Sequence, residues 1–269
     1  MKIGMIGAGN MGSALAKAMA EETKEIFLSD ADTEKAALLA AELGITVGTN
    51  ASLAAECDIL FLAVKPQVLP TVLAGIRDTL RERAEGGRAA VLVSMAAGVS
   101  TDTVLEILGF ASPLIRIMPN TPVAVGAGMV LYTTRNLPGA VAEQAFLTLM
   151  KHAGILQRME ESKIDAASAI SGCGPAFCYM FAEAMAMGGV RCGLPYEVAK
   201  LLAAQTMLGS ARMMLSTTEN PESLKVRVCS PAGTTVEGVC ALEAGAFNDT
   251  VIRAVSAAYD RTLELAKKK

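Results

Sequence analysis

Three hydroxyl side chains and a run of helix-breaking residues stand together near the end of the chain, in Ser230-Pro231-Ala232-Gly233-Thr234-Thr235. The residues on either side are helix material, rich in Ala, Met, Leu and Glu. Pro231 lacks the amide hydrogen a helix needs, and Gly233 is poorly held in one, so the stretch is a turn between two helices. Such a turn can offer free amides at the start of the next helix to a carboxylate. Its threonine hydroxyls are poor acids but adequate hydrogen-bond partners. On these residues alone it reads either as a binding loop or as an interhelix connector, although a plain connector needs neither two threonines nor that glycine.

A second stretch points to a cofactor. Residues 2–6, KIGMI, are a short apolar strand, and Gly7-Ala8-Gly9-Asn10-Met11-Gly12 follows at once. A helical pattern then runs from Ser13 to Ala20, and EIFLS (25–29) is a second strand. This is the strand, glycine turn, helix, strand context in which GxGxxG is informative. Gly7 permits the tight turn, Gly9 lets the backbone approach a pyrophosphate, and Gly12 lets helix and strand pack closely. The helix N-terminus then supplies amide donors. The second strand ends in Ser29-Asp30, about 20 residues beyond the turn, where a carboxylate accepts hydrogen bonds from ribose hydroxyls and repels a 2′-phosphate. Asp30 therefore favours NADH over NADPH, with Ser29 and Lys35 as groups that could still serve a phosphate. Asp32 is the better N-cap for the helix that begins Thr33-Glu34-Lys35.

Other chemistries find no residues. The single histidine, His152, lies in LMKHAGI at a helix end before a strand, where a cation suits the helix dipole. The reaction must therefore run without histidine. Six cysteines show no CxxC pair and no Cys/His zinc spacing, so no metal is expected and the thiols read as reduced and structural. The net charge of −3, with no basic patch interleaved with aromatics, argues against nucleic acid. Lys267-Lys268-Lys269 reads as a solvated tail. The strand at the N-terminus leaves no room for a signal peptide. The longest apolar stretch, AFCYMFAEAMAMGG, falls short of the roughly 18 residues a membrane span needs and contains Glu183. A cytoplasmic location is expected.

The elements that must position these groups follow an α/β rhythm. DILFLAV (58–64), AAVLVS (89–94) and PLIRIM (113–118) are near-continuous apolar runs, as in strands covered on both faces. They end in AVKP, MAAG and MPNTP. In open parallel sheets ligands bind outside the carboxyl ends of strands, so these ends should line one crevice with the glycine turn. AGMVLY (127–132) and GILQRM (154–159) finish the sheet. After about residue 160 the pattern is helical, with helices expected over 164–170, 175–189, 195–215, 235–242 and 246–267. The expected fold is an α/β Rossmann domain, mostly parallel and doubly wound, over 1–159, followed by an all-α domain over 160–269. The helix YMFAEAMAMGGV is apolar on nearly all sides, which a small domain cannot bury alone; a second subunit is expected to cover it.

The set GAGNMG, FLAVKPQ, MAAGV, RIMPNTP, SGCGPAF and SPAGTTVEGVCALE, in this order and nearly end to end, resembles the pyrroline-5-carboxylate reductase family. The resemblance implies reduction of a cyclic imine to L-proline with NADH or NADPH, and helical domains interwoven in a homodimer that assembles further into decamers. It implies a substrate loop at Ser230, Gly233, Thr234 and Thr235, whose amides hold the substrate carboxylate while the Thr235 hydroxyl sits close to the ring nitrogen. It places Asn50 near the adenosine ribose, Ala63, Val64, Lys65 and Pro66 with Ala96 and Ala97 against the cofactor, and Asn120 near the nicotinamide. The chain departs from the family pattern at Cys173, which replaces a serine in SGSGP, at Val226-Arg227-Val228, and at Ala232, which replaces a glycine. Two alternatives stand beside this reading. A β-hydroxyacid dehydrogenase would need a helix lysine that SGCGPAFCYMFAEAM does not offer, Lys200 being on a later helix. A redox sensor would bind NAD(H) without turnover.

Overall fold

The computed structural model describes residues 1–267; of the expected lysine tail, Lys268 and Lys269 lie outside the described residues. The chain divides into two compact units, Met1–Gly172 with Tyr259–Lys269, and Cys173–Ala258.

The first unit is built on eight strands: β1 (Ile3–Ile6), β2 (Ile26–Ser29), β3 (Thr46–Val47), β4 (Ile59–Leu62), β5 (Val91–Ser94), β6 (Leu114–Pro119), β7 (Gly128–Arg135) and β8 (Gly154–Arg158). They form one sheet in the order β3-β2-β1-β4-β5-β6-β7-β8. All pairs are parallel except β6 with β7, which run antiparallel. Helices α1 (Asn10–Ala20), α2 (Thr33–Leu43), α3 (Asn50–Glu56), α4 (Leu69–Glu85), α5 (Thr101–Leu108), α6 (Ala140–Met150) and α7 (Glu161–Ser171) complete the unit. The doubly wound Rossmann architecture expected from the sequence is what forms.

Alternation along the strands gives each face its own core. Met5, Phe61, Val93 and Ile117 pack on one side with α1 and α6. Leu60, Leu62, Leu92 and Leu114 pack on the other with α3, α4 and α5. Burial of such side chains is worth about 1.5–3 kcal/mol each, which holds the strand ends in fixed register. Cap chemistry sets the helix boundaries: the Asp32 side chain accepts from the Lys35 amide at 3.0 Å, as expected, and Gly44 closes α2 at φ 66°.

The helix α7, which follows residue 159, packs with the sheet and clusters with this unit. Short elements are the ones the sequence leaves unmarked, α3 and α5 among them. β3 has two residues, too few for a periodic pattern. Asn220-Pro221, in the gap between two expected helices, starts a further helix, with Asn220 as N-cap accepting from the Ser223 amide at 2.9 Å and Pro221 in its first turn.

The second unit holds α8 (Gly174–Arg191), α9 (Tyr196–Leu215), α10 (Pro221–Arg227), α11 (Thr234–Ala244) and the greater part of α12 (Phe247–Lys267). Its α8 and α9 lie close: a Cβ placed on Gly189 would fall 2.9 Å from the Ala199 side chain. Its buried cluster is Ala186, Ala199 and Ala203, with Val190 against it. Tyr179, Met180, Leu201 and Leu215 are each about two-thirds exposed or more. An apolar helical unit with so small an interior has the surface of a subunit interface.

Candidate active site

The glycine turn lies between β1 and α1, and each glycine has a separate steric reason. Gly7 has φ 110°, and a Cβ there would fall 2.4 Å from the Ala63 carbonyl oxygen. A Cβ on Gly12 would fall 2.1 Å from the Gly7 carbonyl oxygen, so glycine is what lets α1 sit against the turn. Above Gly9, by contrast, there is nothing within 4 Å. Gly9 is also the N-cap of α1, and no side chain caps it. An open backbone at an uncapped helix N-terminus fits a pyrophosphate. Ala8 is fully buried beneath the turn, while Asn10 and Met11 begin the helix.

A cleft of about 780 Å³ opens beside this turn, bounded by Gly7, Gly9, Ser29, Asp30 and Asn50 on one side and by Ala63, Val64 and Lys65 on the other. Asp30 is held in place from two directions. Its Oδ2 accepts from the Ala8 amide and its Oδ1 from the Asp32 amide at 2.9 Å. The carboxylate at the end of β2 is thus tied to the glycine turn itself. The Ser29 hydroxyl donates to Asn50 Oδ1 at 2.7 Å, which links β2 to the start of α3 and fixes the amide's orientation. Lys35 borders a different surface hollow and does not line the cleft, whereas Lys65 does. Thr33, Thr49 and Thr71 also line it; nothing in their spacing marked them, since each lies outside a motif.

The other strand ends behave differently. Pro66 follows Lys65 directly and begins the turn into α4. Ala96 is buried and its carbonyl oxygen accepts from the Val99 amide at 3.2 Å, closing a turn with Gly98 at φ 67°. Ala97 is exposed at the crest of that turn. Asn120 has both ends of its side chain engaged: Nδ2 donates to the Ser171 carbonyl oxygen and Oδ1 accepts from the Met129 amide, each at 2.8 Å. It staples the end of α7 to β7.

Below these ends lies a polar cluster that the sequence reading did not single out. Arg116 on β6 is buried, and its guanidinium reaches Glu161 Oε1 at 3.1 Å and Asp165 Oδ1 at 2.9 Å. Glu161 also accepts from the Thr101 amide at 2.7 Å and from the Thr101 hydroxyl. Burial pushes the Glu161 carboxyl upward, but the Thr101 hydrogen bonds and the Arg116 guanidinium outweigh it and hold it below the ordinary range. The signal available was an arginine inside an apolar strand, in PLIRIM. Beside it on β5, in register with Arg116, the Ser94 hydroxyl is the buried side-chain polar atom without a partner among the described residues.

In the helical unit, the SPAGTT stretch forms the turn into α11. The Gly233 amide donates to the Ser230 carbonyl oxygen at 3.0 Å, and α11 starts at Thr234. The nearest atom to a Cβ on Gly233 would be the Ser230 hydroxyl, at 2.2 Å, so this glycine serves the turn's own packing. Gly233 is the N-cap, extended and without a side-chain cap, like Gly9 at α1. Thr234 and Thr235 are exposed in the first turn. Ala232 adopts φ 56°, the left-handed region that glycine occupies without cost.

The thiols and the histidine stay outside this chemistry. The cysteines are free, and burial raises the Cys57 thiol to about 11. His152 Nε2 lies 3.6 Å from Glu22 on the surface. Lys200 pairs with Glu197 and is exposed. Among the described residues no group of acidic, Cys and His side chains could hold a metal ion.

Residues 161–265 match the family model described as pyrroline-5-carboxylate reductase dimerisation, and residues 2–98 match that described as NADP oxidoreductase coenzyme F420-dependent. The pyrroline-5-carboxylate reductase of Escherichia coli (strain K12) is 36% identical over 99% of this chain and 98% of its own. That of Synechocystis is 38% identical over 100% and 99%. The chain belongs to the pyrroline-5-carboxylate reductase family. The solved reductase from Coxiella burnetii superposes with a TM-score of 0.89 at 31% identity, covering 98% of each chain. The pyrroline carboxylate reductase of Plasmodium falciparum, solved with NADP bound, gives 0.84 at 31% identity over 99% of this chain and 98% of its own.

Proposed function

We propose that this chain reduces pyrroline-5-carboxylate to L-proline, the last step of proline biosynthesis, with NADH as the preferred reductant. The observation that carries the coenzyme preference is Asp30, whose carboxylate lines the cleft and is anchored to the Ala8 and Asp32 amides. An anchored carboxylate accepts from ribose hydroxyls and meets a 2′-phosphate with like charge. The reduced nicotinamide, when bound, supplies the hydride for the imine carbon. The chain's own part is to bind and orient. Gly7 to Gly12 and Ser29, Asp30 and Asn50 hold the adenosine and pyrophosphate half; Ala63 to Pro66, Ala96, Ala97 and Asn120 face the remainder.

For the substrate, the uncapped amides at the start of α11 receive the carboxylate, with Ser230, Gly233 and Thr234 shaping the receptor. The Thr235 hydroxyl hydrogen-bonds the ring nitrogen. The protonated imine is already a strong electrophile, and its proton comes from solvent, so orientation is the main demand; well-oriented reactants can save roughly 7–11 kcal/mol of barrier. No histidine is required, in keeping with His152 lying at the surface beside Glu22. The exposed apolar faces of α8 and α9 are covered by a second copy of the chain, and the dimers assemble into decamers. Among the described residues no helix is long and apolar enough to cross a membrane.

The test is NADH oxidation with pyrroline-5-carboxylate, run beside NADPH at matched concentrations. Turnover with NADH faster than with NADPH is expected. Binding of NADH without turnover with this or any cyclic imine would favour the redox-sensor alternative instead.

A further inference from the structure

We infer that Glu161 is a positioning residue for the nicotinamide end of the coenzyme, acting through Thr101 on the turn that follows β5. The inference rests on the reading that Ala96 and Ala97 contact the coenzyme. Its physical basis is the direction of four hydrogen bonds. Glu161 opens α7, and its two oxygens take the Thr101 amide, the Thr101 hydroxyl and one arm of the Arg116 guanidinium. Asp165, one turn further along α7, takes the other arm at 2.9 Å.

Thr101 is the first residue of α5, and its side chain is all but fully buried. Between it and the crest of the turn there are three residues, Gly98, Val99 and Ser100. These are themselves fixed, by the bond from the Val99 amide to the Ala96 carbonyl and by the Ser100 side chain, which caps α5. The chain from Ala97 to Thr101 therefore has little slack, and what holds Thr101 holds Ala97. Arg116 gives the same carboxylate a hold on β6, the strand that leads to Asn120. At its far end α7 is fastened again, by Asn120 to the Ser171 carbonyl oxygen.

The ladder already pairs β5 with β6 as far as Ser94 and Arg116; beyond it, one carboxylate ties the turn that follows β5 to the strand that leads to Asn120, the two places assigned to the nicotinamide half. The adenosine half, at β1, β2 and α3, shares none of these hydrogen bonds. A defect at Glu161 should therefore be felt by one half of the coenzyme and not by the other.

The experiment compares NADH with ADP-ribose, which lacks the nicotinamide, as ligands of the full-length chain. In Glu161→Gln the amide keeps the side chain's shape but loses the charge and one acceptor. Its NADH dissociation constant is expected to rise about fivefold or more, with the ADP-ribose constant within about twofold of the parent's. kcat at saturating NADH should fall as well. Thr101→Val, which keeps the volume and the backbone bond but removes the hydroxyl, should weaken NADH by less and likewise spare ADP-ribose. It serves where Glu161→Gln folds poorly, and Thr101→Ser should restore the parent's values. Ala97→Val tests the underlying reading: it should weaken NADH and spare ADP-ribose. If Ala97→Val binds NADH like the parent, the turn does not contact the coenzyme and the inference falls with that reading. If Ala97→Val weakens NADH while Glu161→Gln and Thr101→Val do not, the positioning role is overturned. Equal weakening of both ligands in Glu161→Gln would also overturn it, showing a general structural role.

Discussion

Replacing Ala232 by glycine should make the protein more stable without changing what it does. Ala232 holds φ 56° in the turn before α11 and is exposed, so its methyl group gains nothing from burial. The left-handed conformation costs an L-residue roughly 1–2 kcal/mol, a cost that glycine avoids. Against this, glycine gives the unfolded chain more freedom, which takes back about 0.4–1 kcal/mol. The difference favours Ala232→Gly by about 0.5–1 kcal/mol, or about 1–4 °C in Tm for a chain of this size. The Gly233 amide bond to the Ser230 carbonyl is untouched, so kcat and KM for the imine should stay within about twofold. The measurement is a thermal melt of both proteins at one fixed concentration, since an oligomer's Tm depends on it. Ala232→Val completes the series: a β-branched residue at positive φ is disfavoured further, and its Tm should lie below the parent's. A Tm for Ala232→Gly at or below the parent's would refute the strain argument.

Four other outcomes are expected. Thr235→Ala should lower kcat about tenfold to a hundredfold while leaving the NADH dissociation constant unchanged; turnover like the parent's would remove this hydroxyl from the reaction. Asp30→Ser should move the ratio of KM values toward NADPH by about tenfold, read from initial rates with the two coenzymes, and an unchanged ratio would show that Asp30 does not discriminate. The Glu161 carboxyl is held below its ordinary range in the folded chain. Its contribution to stability is therefore complete above the unfolded pKa and is lost as pH falls through the folded one. Glu161→Gln, already lacking that contribution, should show a flatter loss of stability on the acid side in denaturant melts at successive pH values; parallel curves for the two proteins would contradict this. Finally, Leu201→Glu, on an exposed apolar face of α9, should shift sedimentation toward smaller species, and an unchanged profile would place the subunit contact elsewhere.

How much was legible beforehand depended on the range of the interaction. The strands β1, β4, β5 and β6 were plain because each is a near-continuous apolar run. The reason for Gly12 could also be stated in advance, because its steric contact with Gly7 is local, whereas the Ala63 carbonyl that crowds Gly7 comes from the far end of β4. Asp32 as a cap is local in the same way. What the sequence did not disclose was pairing across distance. Nothing near Glu161 announces that it will meet Thr101 and Arg116, and Asn120 gives no hint that both ends of its amide are already engaged. The helix α7 is fastened to the sheet by those long-range contacts and not by any pattern of its own. The departure at Ala232 was visible as a letter, but its backbone angle was not.

A helical unit whose own interior amounts to three alanines makes the durability of this protein a matter of dose. A solitary copy would leave the apolar faces of α8 and α9 in water, so synthesis at low levels, or dilution after lysis, should remove protein as well as rate. Output should then fall faster than copy number, and a weakened copy should be sheltered by a sound neighbour when the two are made together. For such a chain, abundance is part of the fold.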